Sequence, residues 1–307
     1  MRSIQLLNYG GETAAQLAET SKPTAGAGQV LVRVHAAGIN ALDWKIREGY
    51  VRDAFPLELP TVLGIELAGV VEAVDPGATR FQVGDRVMGP LGGLGAFADY
   101  VAVDEAKLAP TPQGLSDVDA AGMSVAALAA WQSLNFTGAI RAGARVLVHG
   151  AAGAVGAFAV QFAHQAGAFV VGTASAANLA YVQSLGADQV IDYRSERFED
   201  LVDNIDLVLA YVGGDVIDRS WAVLNPTGAI VGTSSPEILA RTPAGRQGHW
   251  FIMKPDAAML AKFAADVASG ALRSKVSEVV SFEDIPAAIE RSRLGANSGK
   301  VVVDFKR

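Results

Sequence analysis

Residues Val146 to Thr173 constrain this chain more than any other stretch. Arg145-Val-Leu-Val-His149 is a short apolar run of the kind that forms a buried parallel strand. Glycines follow at 150, 153 and 156, giving the spacing A-x-G-x-x-G from Ala151. Phe158 and Phe162 then stand four residues apart, which puts them on one helix face, with Gln161, His164 and Gln165 expected on the opposite one. Gly167 is a natural helix stop, and Phe169–Thr173 reads as a second strand. The stretch therefore predicts a βαβ unit of a parallel sheet.

Small residues at that turn have a physical use. They let backbone amides at a helix N-terminus approach a pyrophosphate, and alanine is small enough for the first position. A tight strand–helix turn that binds nothing is the alternative. The flanking strand, helix and second strand favour a dinucleotide site, with Ala151, Gly153, Ala154, Val155 and Gly156 as its contacts. An NAD site usually carries an Asp or Glu about 20 residues on, bonded to the ribose 2′-hydroxyl. Here that region is Gly172-Thr-Ala-Ser-Ala-Ala-Asn178, with no carboxylate. Ser175 and Asn178 can bond a 2′-phosphate, and Arg194, beside Tyr193, can supply charge, so NADP(H) is the expected cofactor.

The rest of the chain divides in texture. The first hundred residues hold short Val- and Ala-rich segments, Val30–Ala36, Leu67–Val74, Arg86–Met88 and Ala98–Val103, separated by turn signals such as Asp75-Pro76-Gly77. That spacing suggests a small irregular barrel. A helix is expected over Ser116–Leu134, capped by Ser116 or Asp117. Strands then alternate with helices through Gln189–Ile191, Asp206–Tyr211 and Ala229–Gly232, as in a parallel sheet covered on both faces. Helix Asp256–Ser269, strand Val276–Ser281, helix Ile285–Arg293 and strand Lys300–Phe305 close the chain and are suited to completing the first domain. The expected domains are 1–117 with 255–307, and 118–254. Ala229–Gly232 is expected at a sheet edge, able to pair with a second copy.

Composition narrows the function classes. A net charge of −7 and the lack of a dense Lys/Arg run argue against a nucleic-acid partner. With no cysteine there are no disulfides and no thiolate ligands. The N-terminus lacks the apolar core of a signal peptide, so a cytoplasmic location is expected. Ala120–Ile140 and Val146–Ala187 are uncharged and long, yet rich in Gly, Ala, Ser, Gln and Asn, so no membrane span is expected.

Several stretches, taken in order, carry a resemblance that spans essentially the whole chain. They are Ala36–Gly49 (AAGINALDWKIREG), Pro60–Gly77, Phe81–Gly89, Gly95–Val103, Val148–Gly156, Leu185–Arg194 and Ser298–Val303. Together they resemble the zinc-independent quinone oxidoreductases and enone (alkenal) reductases of the medium-chain dehydrogenase/reductase superfamily. The resemblance implies an α/β architecture: a GroES-like β-barrel domain, a Rossmann domain with a doubly wound parallel sheet, and an active-site cleft between them. It also implies hydride transfer from NADPH to a quinone or an electron-poor C=C bond. By carry-over Ser175, Asn178 and Tyr193 surround the adenosine 2′-phosphate. Asn178 stands where this branch usually has lysine. Val212, Gly232 and Thr233 join the cofactor set, and Phe251, Ile252, Met253, Ser298 and Gly299 line the nicotinamide end. Ala129 falls where relatives often have a threonine that contacts the cofactor. A homodimer and a monomer both stay open.

Zinc alcohol dehydrogenases of the same superfamily are the main rival. Zinc sites need three or four convergent donors. Here the cysteine position resembles Asn40, the Gly-His-Glu motif reads Gly64-Ile65-Glu66, and His35, His149, His164 and His249 have no ligand spacing. No metal is therefore expected. For reduction of an enone, the candidates are Asn40, Asp43 and Lys45 in the NALDWK run. Lys45 would donate to the carbonyl oxygen, Asn40 would position substrate or nicotinamide, and Asp43 would orient Lys45 or hold the loop. From spacing alone Asp43 and Lys45 read as ordinary loop charges; the resemblance is what raises Lys45. Trp44 and Tyr50 could form an apolar wall, although core packing suits Trp44 equally well. A protein that binds NADPH without turnover and a zinc-free alcohol dehydrogenase-like enzyme remain as alternatives.

Overall fold

The computed structural model describes residues 1–307 except Ala54, Ala139, 296–298 and Arg307. The described chain forms two compact units, Met1–Val125 with Pro255–Arg307, and Ala126–Lys254. In the first unit the elements run β1 (Arg2–Leu6), β2 (Ala15–Glu19), β3 (Gln29–Ile39), α1 (Ala41–Arg47), β4 (Thr61–Val62), β5 (Glu66–Val74), β6 (Arg86–Pro90), β7 (Tyr100–Asp104) and β8 (Ala109–Pro110). Helix α2 (Asp117–Leu134) begins in the first unit and ends in the second. The second unit holds β9 (Arg145–His149), α3 (Ala154–Gln165), β10 (Phe169–Ala174), α4 (Leu179–Ser184), β11 (Gln189–Asp192), β12 (Ile205–Ala210), α5 (Val216–Ser220), β13 (Leu224–Gly232), α6 (Glu237–Ala240) and β14 (Gln247–Trp250). The first unit is completed by α7 (Ala257–Ala268), β15 (Val276–Val280), α8 (Ile285–Arg293) and β16 (Lys300–Asp304).

The first unit is built around β3. It pairs antiparallel with β5 along one side, and with β7 and then β16 along the other. Alternation in β3 sends Val30, Val32 and Val34 into a core shared with Val87, Phe97, Val301 and Val303. Register does the rest. Val301 faces Ile39, so Lys300 comes beside Asn40; Leu67 faces Ala37, so Glu66 comes beside Gly38. Residues from three distant parts of the chain thus meet at one end of this sheet. Ser116 caps α2, its Oγ accepting the Asp119 amide at 3.0 Å.

The second unit is a six-stranded sheet in the order β11-β10-β9-β12-β13-β14, parallel at every pairing. Chain order reverses between β9 and β12, which is where ligands bind in such sheets. The edge expected at Ala229–Gly232 is corrected: β13 lies between β12 and β14, and β14 forms that edge. Gln247-Gly-His-Trp250 is too short and too polar to announce itself as a strand; pairing with β13 makes it one. Gln161 is corrected as well. It is buried, not on a solvent face, and it satisfies its own amide by donating to the Ala157 carbonyl at 2.9 Å. Helix α3 is thus covered on more sides than a Phe158/Phe162 stripe alone requires.

Candidate functional site

Two sets of residues emerge, one in each unit. In the second unit, strand β9 ends at His149 and the chain turns through Gly150, whose φ of +73° favours glycine. A Cβ on Gly150 would meet Val212 Cγ1 at 3.1 Å, so the ends of β9 and β12 converge here. A Cβ on Gly156 would run into the Gly150 carbonyl oxygen and would sit 2.8 Å from Ala151 Cα. That is why α3 starts so close to the turn, and why position 156 has no side chain. Ala151 is wholly buried and packs where a Cβ on Gly172 would come within 3.0 Å of its own Cβ. Alanine therefore serves at the first fingerprint position as a packing residue between turn and second strand.

Gly153 precedes α3 and no side chain caps that helix. The first backbone bond inside it runs from the Ala157 amide to the Gly153 carbonyl, at 2.9 Å. The N–H groups of Ala154, Val155 and Gly156 thus open outward at the positive end of the helix dipole, a ready anion site. Other expected cofactor residues follow the same ends of the parallel strands. Ser175 and half-buried Asn178 follow β10, with Asn178 Nδ2 donating to Ser175 Oγ at 3.0 Å. Tyr193 and Arg194 follow β11, both exposed, with the guanidinium 5.7 Å from the ring centre. Gly232 ends β13, and half-buried Thr233 comes next. Phe251, Ile252 and Met253 follow β14, and Phe251 stacks on Phe136 at 5.2 Å. Ala129 is buried in α2 and its methyl can make no hydrogen bond. Gly299 belongs to the first unit and Ser298 lies outside the described residues.

In the first unit, Asn40 stands at the N-terminus of α1 and is held from all sides. Its Oδ1 accepts Lys300 Nζ at 2.6 Å. Its Nδ2 donates to Glu66 Oε1 at 2.8 Å and to the Gly38 carbonyl at 3.1 Å. Lys300 Nζ also pairs with Glu66 Oε1 at 2.5 Å, and both residues are buried. Glu66 Oε2 accepts the Val125 amide at 2.6 Å. Neither Glu66 nor Lys300 stood among the expected site residues. The available signal was a charge at the mouth of an otherwise apolar strand, in ELAGVV and KVVVDF.

Asp43 lies in the first turn of α1. It is fully buried, and its Oδ2 accepts the Asn40 backbone amide at 2.7 Å, closing the first turn of α1. Burial raises its carboxyl from the usual 3.8 to about 7, against the lowering pull of that amide and of the Lys300 charge. Asp43 and Lys45 are two residues apart on the helix, so they point different ways. Lys45 is half-buried, with Nζ 5.5 Å from the Trp44 ring centre, and burial holds its ammonium below the usual lysine range. Trp44 packs on the barrel core and meets Tyr50 edge-on at 5.8 Å, while Tyr50 is exposed.

Comparison with known proteins matches these features to one family. Residues 26–113 match the family described as "Alcohol dehydrogenase GroES-like domain" and residues 185–303 match "Zinc-binding dehydrogenase". An "NADPH-dependent alkenal/one oxidoreductase, chloroplastic" from Arabidopsis thaliana is 34% identical over 99% of this chain and 79% of its own. The structure of the quinone oxidoreductase from Coxiella burnetii superposes with a TM-score of 0.94 at 30% identity, covering 99% of both chains. The Escherichia coli quinone oxidoreductase complexed with NADPH gives 0.88 at 26% identity, covering 99% of this chain and 100% of that one.

The second family description raises a metal, and the donors present do not fit one. The ammonium of Lys300 already fills the space that Glu66 Oε1 and Asn40 Oδ1 enclose. Among the described residues no three His, Cys, Asp or Glu side chains converge to hold an ion. A barrel unit, a parallel sheet ordered for a dinucleotide, and full-length likeness to these reductases agree on one assignment. This chain belongs to the quinone oxidoreductase and alkenal/one reductase branch of the medium-chain dehydrogenase/reductase superfamily.

Proposed function

We propose that this protein is a metal-independent reductase that uses NADPH to reduce a quinone or the activated C=C bond of an α,β-unsaturated carbonyl. The observation that carries the reading is the uncapped start of α3 at the strand-order switch point, beside a second strand that ends without a carboxylate. Amides of Ala154, Val155 and Gly156 hold the pyrophosphate. Ser175 Oγ, having accepted the Asn178 amide, keeps its own O–H to donate, which suits a 2′-phosphate oxygen. Arg194 adds charge at the same end of the sheet. Asp192 is level with Ala174 at the end of β10, but its carboxylate turns back to accept the Arg194 amide at 3.1 Å and the Ser195 hydroxyl at 3.1 Å. That supports NADP over NAD.

Bound NADPH supplies the hydride. The chain's own task is to orient the acceptor and stabilise the charge that develops on its oxygen. Lys45 is the donor for that oxygen. Burial strengthens its hydrogen bond by removing competing water, and it also makes the ammonium a stronger acid than an exposed lysine, and so a better donor to the developing oxyanion. An alcohol would need a stronger electrophile to lose hydride, and the donors that could have held one are engaged by Lys300.

The test is nucleotide consumption across 1,4-benzoquinone, short enones, long alkenals and simple aldehydes, with NADPH and NADH in parallel. Quinones or enones should be reduced with NADPH in preference to NADH, and simple aldehydes left untouched. Lys45→Ala should lose most enone turnover while NADPH still binds. Tight NADPH binding with no consumption across the panel would indicate a sensor instead, and unchanged turnover in Lys45→Ala would remove Lys45 from the mechanism.

A further inference from the structure

We infer that Lys300 and Glu66 act as positioning residues that lock the Asn40 side chain into one orientation, in which it serves the reaction only as a hydrogen-bond acceptor. The inference rests on the reductase reading above for what the acceptor is used for, and on the geometry alone for the lock. Lysine has only donors and a carboxylate only acceptors, so the network decides which end of the Asn40 amide faces which partner. Oδ1 takes Lys300 Nζ at 2.6 Å; Nδ2 spends both hydrogens on Glu66 Oε1 and the Gly38 carbonyl. No donor is left on the Asn40 side chain; Oδ1 faces the Asp43 amide in the capping box, but that amide bonds the Asn40 backbone carbonyl instead, so Oδ1 can accept once more. A group bearing N–H or O–H can therefore bind there, whereas a developing oxyanion cannot. Charge stabilisation falls to another residue, and the lock separates the duties of Asn40 and Lys45.

Several features show that the arrangement is built. Lys300 is 4% exposed and Glu66 0%, so each charge has been taken out of water and is tolerable only with its partner in place. Glu66 is fixed at its other oxygen by the Val125 amide. The lysine stem passes two glycines. A Cβ on Gly38 would meet Glu66 Oε1, and would lie 2.7 Å from Lys300 Cε and 2.8 Å from the Ala121 carbonyl; one on Gly122 would lie 3.5 Å from Lys300 Cγ. Strand register brings the three polar residues together from positions 40, 66 and 300, so no local sequence requirement explains them.

The test compares Lys300→Met, Glu66→Gln and the double variant Glu66→Gln/Lys300→Met with the native chain. Four quantities are read: thermal midpoint, NADPH affinity, kcat on an enone that the native chain reduces, and hydrogen exchange of the Asn40 side-chain amide by NMR with 15N-asparagine. Each single variant leaves a buried charge alone and should lose stability; the double variant, with neither charge, should recover it. In Lys300→Met and in the double variant, Asn40 exchange should quicken by about tenfold or more, because the amide is free to turn. Their kcat should fall by about tenfold or more with NADPH affinity little changed, since a loosened group misplaces the acceptor. Native-like Asn40 exchange in the stable double variant overturns the lock. Faster exchange with native kcat overturns the positioning role. If the native chain reduces nothing in the panel, the reductase reading has failed, and the exchange measurement still decides the lock.

Discussion

At the scale of single residues, the dinucleotide turn depends on what is missing. Gly156 has the Gly150 carbonyl in the space a methyl would need, with backbone on both sides and no flexible neighbour to give way. Gly156→Ala should therefore push α3 off the turn and weaken NADPH binding by about tenfold or more, since a displaced helix start no longer aims its amides at the pyrophosphate; titration of NADPH fluorescence measures it. Native affinity in a folded variant would count against the helix start as the anion site. This position was legible in the sequence, because spacing of glycines after an apolar strand reports local backbone crowding. Lys300 was not legible as a partner of Asn40. They are 260 residues apart, and only the antiparallel register of β16 on β3 makes them neighbours.

At the scale of elements, α1 shows how a helix too short to be stable alone is held by its ends. Its seven residues are fastened by Asp43 at the first turn and by buried Arg47 at the last, which pairs with Glu48 at 2.7 Å and with Glu290 of α8 at 2.5 Å. Helix α2 depends on an ordinary cap. Ser116→Ala should cost about 1 kcal/mol through the lost bond to the Asp119 amide, read as a lower urea midpoint. No change would mean that packing of the helix interior alone fixes where α2 begins. The helices expected from the sequence agree with α2, α3, α7 and α8: α7 and α8 are amphipathic, whereas α2 is apolar almost all round and is marked by its cap. Periodicity failed for β14 and for Gln161. A four-residue polar strand exists only because β13 offers a partner, and buried Gln161 can turn its amide back onto the Ala157 carbonyl of its own helix.

At the scale of the whole molecule, buried Asp43 in the first unit and buried His149 in the second respond to pH in opposite senses. Asp43, in the first unit, binds its proton more tightly folded than unfolded, with about 7 against the usual 3.8. The folded state therefore holds the extra proton between these values, and stability of that unit falls as pH rises through the window. His149, in the second unit, is wholly buried between Thr173 Oγ1 at 3.1 Å and Ser220 Oγ at 3.0 Å, and burial lowers it from 6.5 to about 3. There the unfolded state holds the extra proton, so stability rises with pH between these values. Amide exchange measured peptide by peptide from pH 5 to 6.5, corrected for the intrinsic pH dependence of exchange, should show opposite slopes in the two units, each tenfold in proton affinity being worth about 1.4 kcal/mol. Asp43→Asn should flatten the first slope, and parallel slopes would refute the assignment. No helix among the described residues is long and apolar enough to cross a membrane, although two uncharged runs had the length for it. Sequence alone determined the βαβ turn, the lack of thiolate ligands and the absence of an acidic residue after the second strand, since each depends on residues near one another in the chain. Tertiary structure alone decided which strand is the edge, that Asp43 is buried, and that Lys300 and Glu66 close on Asn40. Those depend on strand register, which is set by packing of the whole core and leaves no local trace.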